Sequence, residues 1–273
     1  MLGKLIRHEW KSMYKAGCLM LGAVALITFF GWLAFQTPMW RGMEGGHFEW
    51  VDIFGIFTLV IYVVMLVVVN YGILIYVGVH FYRTMYTDEG YLLHTLPVTK
   101  HEILVSKVLV GSLWMLFVVL AIWFSVFLLG VSMVSAILPE QYTMMEFWQE
   151  AGEEMRGLFR FLGVDMDALF WLTLVTSLLM PIVSVTTLFG AISIGQLSSK
   201  YRVLMAILAY AGIIVAESLV GSMVRSIMTV SHMSAMGSYL GRSVNFDFLV
   251  ELLVAVGLYF VSWHVISNKL NMN

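Results

Sequence analysis

Residues 53–82 read IFGIFTLVIYVVMLVVVNYGILIYVGVHFY, thirty residues without one Asp, Glu, Lys or Arg. An α-helix needs about 20 apolar residues to cross the hydrocarbon core of a bilayer, and this stretch exceeds that length. Its apolar residues do not alternate with polar ones, as they would in a strand of a membrane β-barrel. The stretch therefore predicts a membrane-spanning helix.

Similar apolar stretches recur along the whole chain, which has 273 residues and is 60% hydrophobic and 12% charged. A soluble domain is about one quarter charged, so a water-soluble globule is excluded. The stretches predict six spans, at residues 16–35, 53–80, 108–137, 168–195, 203–223 and 246–266. We therefore predict an all-α polytopic membrane protein with a single transmembrane domain over residues 1–273.

The distribution of positive charge predicts the orientation of these spans. If both termini are cytoplasmic, ten of the fifteen Lys and Arg residues lie in cytoplasmic segments, although the outer segments are longer. This bias follows the positive-inside rule, so we predict that both termini are cytoplasmic. Residues 1–15 combine an apolar stripe with four cations, which is typical of a helix lying in the membrane interface.

Several classes of function are excluded by what the chain lacks. Its net charge of −2 offers no basic field for nucleic acid, and its single cysteine, Cys18, excludes an internal disulfide. The chain contains no P-loop motif and no H-E-x-x-H or G-x-S-x-G motif. Within the spans, no histidine pairs with a carboxylate at metal-ligand spacing. We therefore predict no catalytic, cofactor-binding or metal-binding residue, and no enzyme.

The connection between the second and third spans is the most informative hydrophilic segment. Thr87 can cap a short helix, and Pro97 prevents that helix from continuing. Thr99 and Glu102 then form a capping box that starts the third span. The residues predict a short helix, a proline turn and a third span whose first turn is stabilised by the capping box. The alternative is an ordinary loop that lies against lipid headgroups.

This connection resembles the corresponding loop of type-2 ATP-binding-cassette (ABC) permeases. The resemblance rests on the acidic pair Asp88 and Glu89, the apolar residues Leu92 and Leu93, a Leu-Pro-Val turn at residues 96–98 and Lys107 before the third span. It rests equally on the six-span plan. It implies a coupling helix that docks on a separate ATPase subunit. The residues implied for that contact are Asp88, Glu89, Gly90, Tyr91, Leu92, Leu93, His94 and Leu96. It also implies an N-terminal elbow helix, with a plain membrane anchor as the alternative.

The resemblance further implies the membrane subunit of a bacterial ABC exporter in the plasma membrane. Such a subunit works as a homodimer, or as a heterodimer with a similar permease, and the partner ATPase subunit binds the ATP. The substrate stays open among peptides, lipids and drug-like molecules. Two alternatives also stay open: a proton-coupled secondary transporter, and a membrane sensor or structural subunit that transports nothing.

The predicted spans hold few ionisable or strongly polar residues, and Asn70, Glu217 and Glu251 lie inside them. Polar groups in hydrocarbon are costly and usually face protein or a water-filled cavity. The two acids either form a structural clamp with Arg225 or Arg242 or line a transport pathway. All three residues are candidates for such a pathway.

Two outer segments also carry a pattern. Residues 141–163 predict an amphipathic helix that starts with a capping box of Thr143 and Glu146. Its methionine-rich and aromatic stripe either receives a substrate or packs on lipid or neighbouring spans. Residues 224–245 are rich in small side chains, and type-2 permeases often carry short re-entrant helices there. We therefore expect a re-entrant segment between the fifth and sixth spans.

Overall fold

The computed structural model describes residues 2–36, 50–87, 90, 97–137, 143–161, 165–198, 200–231 and 236–268. These residues form seven helices: α1 (Leu2–Gln36), α2 (Trp50–Tyr86), α3 (Lys100–Ile137), α4 (Met144–Phe161), α5 (Met166–Gly195), α6 (Arg202–Ser231) and α7 (Met236–Asn268). The secondary structure of the described ranges is thus helical, as predicted.

Six of these helices, all except α4, are long and apolar enough to cross a membrane. Their apolar segments are Leu2–Ala34, Gly55–Tyr86, Lys100–Ala136, Met166–Gly195, Arg202–Ile227 and Phe246–Ser267. A helix satisfies its backbone hydrogen bonds internally, so it tolerates lipid on its outer sides. Because lipid tails are as apolar as these side chains, large apolar residues such as Phe57, Phe124 and Leu253 can stay exposed.

The predicted elbow helix is not confirmed, because residues 2–36 form one continuous helix. Its first turns are nevertheless amphipathic. Met13 is buried, whereas the cations Lys4, Arg7 and Lys11 are exposed. No proline interrupts residues 2–36, so nothing in the chain forces a break between the amphipathic start and the span.

The expected re-entrant segment at residues 224–245 is wrong for the part that the structure describes. Residues 224–231 continue α6, and residues 236–245 belong to the start of α7. Only residues 232–235 remain between the two helices. Arg225 on α6 binds Asp247 on α7 through an ion pair. The small residues of this segment thus extend two long helices.

Both predicted capping boxes are confirmed. The backbone amide and the hydroxyl of Thr99 each donate to Glu102 Oε2 at 3.1 Å, and the Glu102 amide donates to Thr99 Oγ1 at 3.2 Å. The same reciprocal bonds join Thr143 and Glu146 at the start of α4. The Thr143 hydroxyl and then its backbone amide lower the pKa of Glu146. Because this pKa is lowered on folding, the cap stabilises α4 at neutral pH and weakens as the pH falls through it.

The chain divides into two compact units, one of which comprises Met1–Trp10, Tyr76–Leu113 and Met155–Asn273. In this unit the second half of α5 is buried. Phe189 on α5 stacks on Phe81 of α2, with ring centroids 3.8 Å apart. Gly190 lets α7 approach α5, because a β-carbon there would lie 2.5 Å from Leu258 Cβ. Aromatic stacking and close glycine contacts thus build this core.

The other unit comprises Lys11–Ile75 and Trp114–Glu154. In it the Trp114 ring occupies the space beside Gly17 where a β-carbon would lie. Ser125 Oγ lies 2.6 Å from Thr28 Oγ1 and 2.7 Å from the Tyr62 hydroxyl. These hydrogen-bonded hydroxyls join α1, α2 and α3. Each hydroxyl gains a hydrogen-bond partner that lipid tails could not provide.

Candidate functional site

Four side chains from three helices form a buried ionic cluster: Glu9 on α1, His80 and Thr84 on α2, and Lys107 on α3. All four belong to the first of the two units. Glu9 is 5% exposed and Lys107 is 3% exposed. Charges this deeply buried are tolerated when they are paired and hydrogen-bonded, which is the case here.

Glu9 is the centre of the ionic cluster. Its Oε1 binds Lys107 Nζ, and its Oε2 lies 3.0 Å from His80 Nε2. Because an ionised carboxylate only accepts hydrogen bonds, His80 Nε2 carries the hydrogen in this arrangement. Lys107 Nζ also donates to Thr84 Oγ1 at 2.7 Å, and that hydroxyl donates to the backbone oxygen of His80 at 2.8 Å.

The ionic cluster lies where α2 ends and α3 begins. His80 and Thr84 lie in the last two turns of α2, and Lys107 lies in the second turn of α3. Residues 87–99 connect these two helix ends along the chain. Glu9 therefore ties the start of α1 to both helices that carry the connection.

Further contacts fasten the same helix ends to other helices of this unit. On α2, the Tyr86 hydroxyl lies 2.8 Å from Ser193 Oγ of α5. On α3, Lys100 Nζ donates to the backbone oxygens of Ile266 and Ser267 in the last turns of α7, at 3.1 and 3.0 Å. A cation is favourable there because the carbonyls at a helix C-terminus carry partial negative charge. The base of the connection thus contacts α1, α5 and α7.

No protein-family model, curated protein or solved structure matches this chain. Its function is therefore inferred from its own residues and their geometry.

Most residues implied for the ATPase contact lie outside the described residues: Asp88, Glu89, Tyr91, Leu92, Leu93, His94 and Leu96. Gly90 is described and is buried. Its amide donates to the Thr87 backbone oxygen at 2.8 Å, and a β-carbon on it would lie 2.6 Å from the Met85 backbone oxygen. Gly90 is thus held close against the end of α2, where a larger residue would clash.

The structure places the three predicted intramembrane polar residues in different surroundings. Asn70 lies in the unit of Lys11–Ile75 and Trp114–Glu154, and its buried Oδ1 has no hydrogen-bond partner. Glu217 on α6 has a buried Oε1 without a hydrogen-bond partner, and Glu251 on α7 is its acidic neighbour. Arg225 binds Asp247, one turn before Glu251. The helices α6 and α7 therefore carry two different acids. Asp247 is ion-paired, whereas Glu217 has a carboxylate oxygen without a hydrogen bond.

Glu9 and His80 were not predicted as site residues. Short spacing between a carboxylate and a histidine could not reveal them, because 71 residues separate this pair. One signal could have found Glu9, because it is the only acid in the otherwise basic segment 2–15. Lys107, directly before a long uncharged stretch, is likewise an isolated charge that needs a partner.

The described residues offer two further observations about ligands. They contain no group of three or more His, Cys, Asp or Glu side chains that could hold a metal ion. Between α1 and α3, a groove of about 610 Å³ is lined by apolar and aromatic side chains and four hydroxyls. Its lining includes Phe29, Trp32, Phe124, Thr28 and Ser132. Such a lining suits the apolar part of a molecule or a lipid chain.

Proposed function

We propose that this chain is the membrane-spanning permease subunit of a type-2 ABC exporter in a bacterial plasma membrane. It works as a homodimer or a heterodimer with a similar permease, and a separate ATPase subunit binds and hydrolyses ATP. The exported substrate is a peptide, a lipid or a drug-like molecule. The chain itself contributes no catalytic residue.

One observation carries this proposal: hydrogen bonds and ion pairs join the ends of α2 and α3, which carry the 87–99 connection, to three other helices. The ionic cluster joins them to α1, Ser193 joins them to α5, and the Lys100 contacts join them to α7. A loop that transmits force from a partner subunit must be anchored to the membrane helices. Force on an unanchored loop would only deform the loop.

The mechanism that we propose follows from these connections. Closure of the ATPase subunits on ATP displaces residues 88–96 of each permease. The displacement moves the ends of α2 and α3, and the buried contacts carry the motion to α1, α5 and α7. The spans then change the access of the substrate path from one side of the membrane to the other.

Charge reversal of Asp88 and Glu89 to lysine tests the ATPase contact. We expect co-purification of the ATPase subunit, identified by its Walker motifs in neighbouring coding sequence, to fall at least about tenfold, or about 1.4 kcal/mol of binding free energy. The reason is that reversed charges repel the basic groups that would meet this acidic pair. Pull-down from detergent and ATPase activity in lipid nanodiscs measure the effect.

The matched control is charge reversal of Glu153 and Glu154, an adjacent acidic pair on the exposed side of α4. This control should bind the ATPase subunit as the wild type does. Wild-type binding and coupled export by the Asp88 and Glu89 double variant would disprove the coupling assignment.

Glu217 favours a second candidate function, a proton-coupled secondary transporter. It is an acid on a span, one of its oxygens is buried without a hydrogen-bond partner, and Glu251 is near it. Intramembrane acids of this kind serve as proton relays in pumps and transporters. The alternative must therefore be tested at this residue.

Glu217→Gln separates the two functions, because glutamine keeps the shape and cannot release a proton. For the ABC exporter we expect the variant to keep most of its transport, and transport to continue when the proton gradient is collapsed while ATP is maintained. Substrate flux in proteoliposomes measures this, with Glu150→Gln on α4 as the matched control. Flux driven by an imposed pH gradient without any ATPase, and stopped by Glu217→Gln, would establish the secondary transporter instead.

A further inference from the structure

Helix α4 differs from the six apolar helices in the way its residues are distributed. Six of its eight large apolar residues fall in one sector about 120° wide at 3.6 residues per turn. This apolar sector consists of Met144, Phe147, Trp148, Met155, Leu158 and Phe159, whereas Met145 and Phe161 lie just beyond its two edges. The remaining side carries the two arginines and three of the four glutamates, and Glu154 borders the sector beside Phe147. The helix is therefore built to lie between an apolar and a polar environment.

Three of the six residues of the apolar sector are exposed in the described chain, and the other three are half-buried. None of the residues of α4 is buried, and Trp148, Met155 and Leu158 are 46%, 46% and 58% exposed. In a helix standing in water, these side chains would form a contiguous apolar surface, which soluble surfaces rarely expose. Another medium or molecule must cover them.

The neighbouring helices restrict what that medium can be. Six residues separate α4 from the end of α3, and four separate it from the start of α5, and both neighbours are apolar enough to span a membrane. Extended chains of these lengths reach at most about 25 and 18 Å between the helix ends. Both ends of α4, a helix about 27 Å long, are therefore held near the ends of two spans. Both ends of α4 therefore stay within reach of the membrane surface.

Two charged residues of α4 fit the same location. Arg156 and Arg160 lie on the polar side toward Trp148 and Phe159, whereas Glu154 borders the other edge of the apolar sector beside Phe147. Arginines at the edge of an apolar sector reach lipid phosphates, and tryptophan prefers the headgroup level.

We propose that α4 is a lipid-binding helix, with its apolar sector inserted at the boundary between headgroups and acyl chains. It lies in the plane of the membrane surface, between the end of α3 and the start of α5 along the chain. The partner is the lipid surface itself. This inference does not depend on the transported substrate or on an ATPase subunit.

Spin labels at two sites on the full chain test the proposal. The single native cysteine is removed as Cys18→Ser, and a nitroxide is attached at Met155→Cys in the apolar sector or at Glu153→Cys on the polar side. In vesicles of phosphatidylethanolamine and phosphatidylglycerol, collision with oxygen reports lipid, and collision with neutral nickel ethylenediaminediacetate reports water. We expect the ratio of oxygen to nickel accessibility to be several-fold higher at residue 155 than at residue 153.

A second matched pair, Leu158→Cys and Gln149→Cys, guards against a local effect of one substitution. Both pairs should give the same contrast. Equal and high nickel accessibility on both sides would overturn the proposal, because α4 would then stand away from the membrane in water. Protection of residues 155 and 158 from both reagents would overturn it too, because protein would then cover the apolar sector.

Discussion

Lys107→Met should lower the free energy of unfolding by about 3–5 kcal/mol, because it leaves Glu9 as a buried charge without its cation. Lys107 and Glu9 are both at least 95% buried, so solvent cannot replace the lost partner. His80 and its hydrogen bond to Glu9 remain, but that bond does not replace the cation that Lys107 supplied. Reversible unfolding in mixed detergent and dodecyl sulfate micelles, followed by circular dichroism, measures the loss.

Two further variants make this prediction specific. Removing both charges, as Glu9→Gln with Lys107→Met, should recover most of the lost stability, because no uncompensated charge remains. Lys11→Met on the exposed side of α1 is the matched control and should change little. A Lys107→Met variant as stable as the wild type, or a double variant no better than the single one, would contradict the ionic cluster as described.

Gly195→Ala should disrupt the turn between α5 and α6. A β-carbon at Gly195 would lie 2.6 Å from the backbone nitrogen of Ala206 and 2.7 Å from its Cα. Because these are backbone atoms, the helices must move apart, which we expect to cost about 1–3 kcal/mol of unfolding free energy or more. The same unfolding assay measures the effect.

The matched controls are Gly212→Ala and Gly257→Ala, since nothing lies within 4 Å of a β-carbon at either position. Both should leave the stability unchanged or raise it by up to about 1 kcal/mol, because alanine favours a helix more than glycine does. Adding Ala206→Gly to Gly195→Ala should rescue only part of the loss, since the backbone atoms stay in place. Full rescue would mean that the Ala206 side chain alone makes the contact close.

Local sequence patterns correctly predicted the features that depend on residues close together in the chain. The stretch 53–82 predicted α2, and the other apolar stretches predicted the other five long helices. The Thr99–Glu102 and Thr143–Glu146 capping boxes formed as their spacing indicated. Patterns over tens of residues were less informative about the elbow helix and the re-entrant segment. Residues 2–15 belong to the continuous helix α1, and residues 224–231 continue α6.

The ionic cluster could not be predicted from spacing, since Glu9, His80 and Lys107 are separated by 71 and 27 residues along the chain. Each looked like an ordinary charged or polar residue near the end of a span. Only the packing of α1 against α2 and α3 makes them neighbours. The contact of Gly195 with Ala206 likewise depends on how closely two helices approach, which a composition of small residues permits but does not specify.

Membrane insertion and helix content follow from the chain alone, because lipid forces the backbone to satisfy its own hydrogen bonds within each span. Which faces of those helices meet depends on side-chain shape and on the pairing of charges that lipid cannot solvate. Glu9, for example, reads in the chain as one acid in a basic segment. In the folded protein it is the buried acceptor that holds three helices together at the base of the α2–α3 connection.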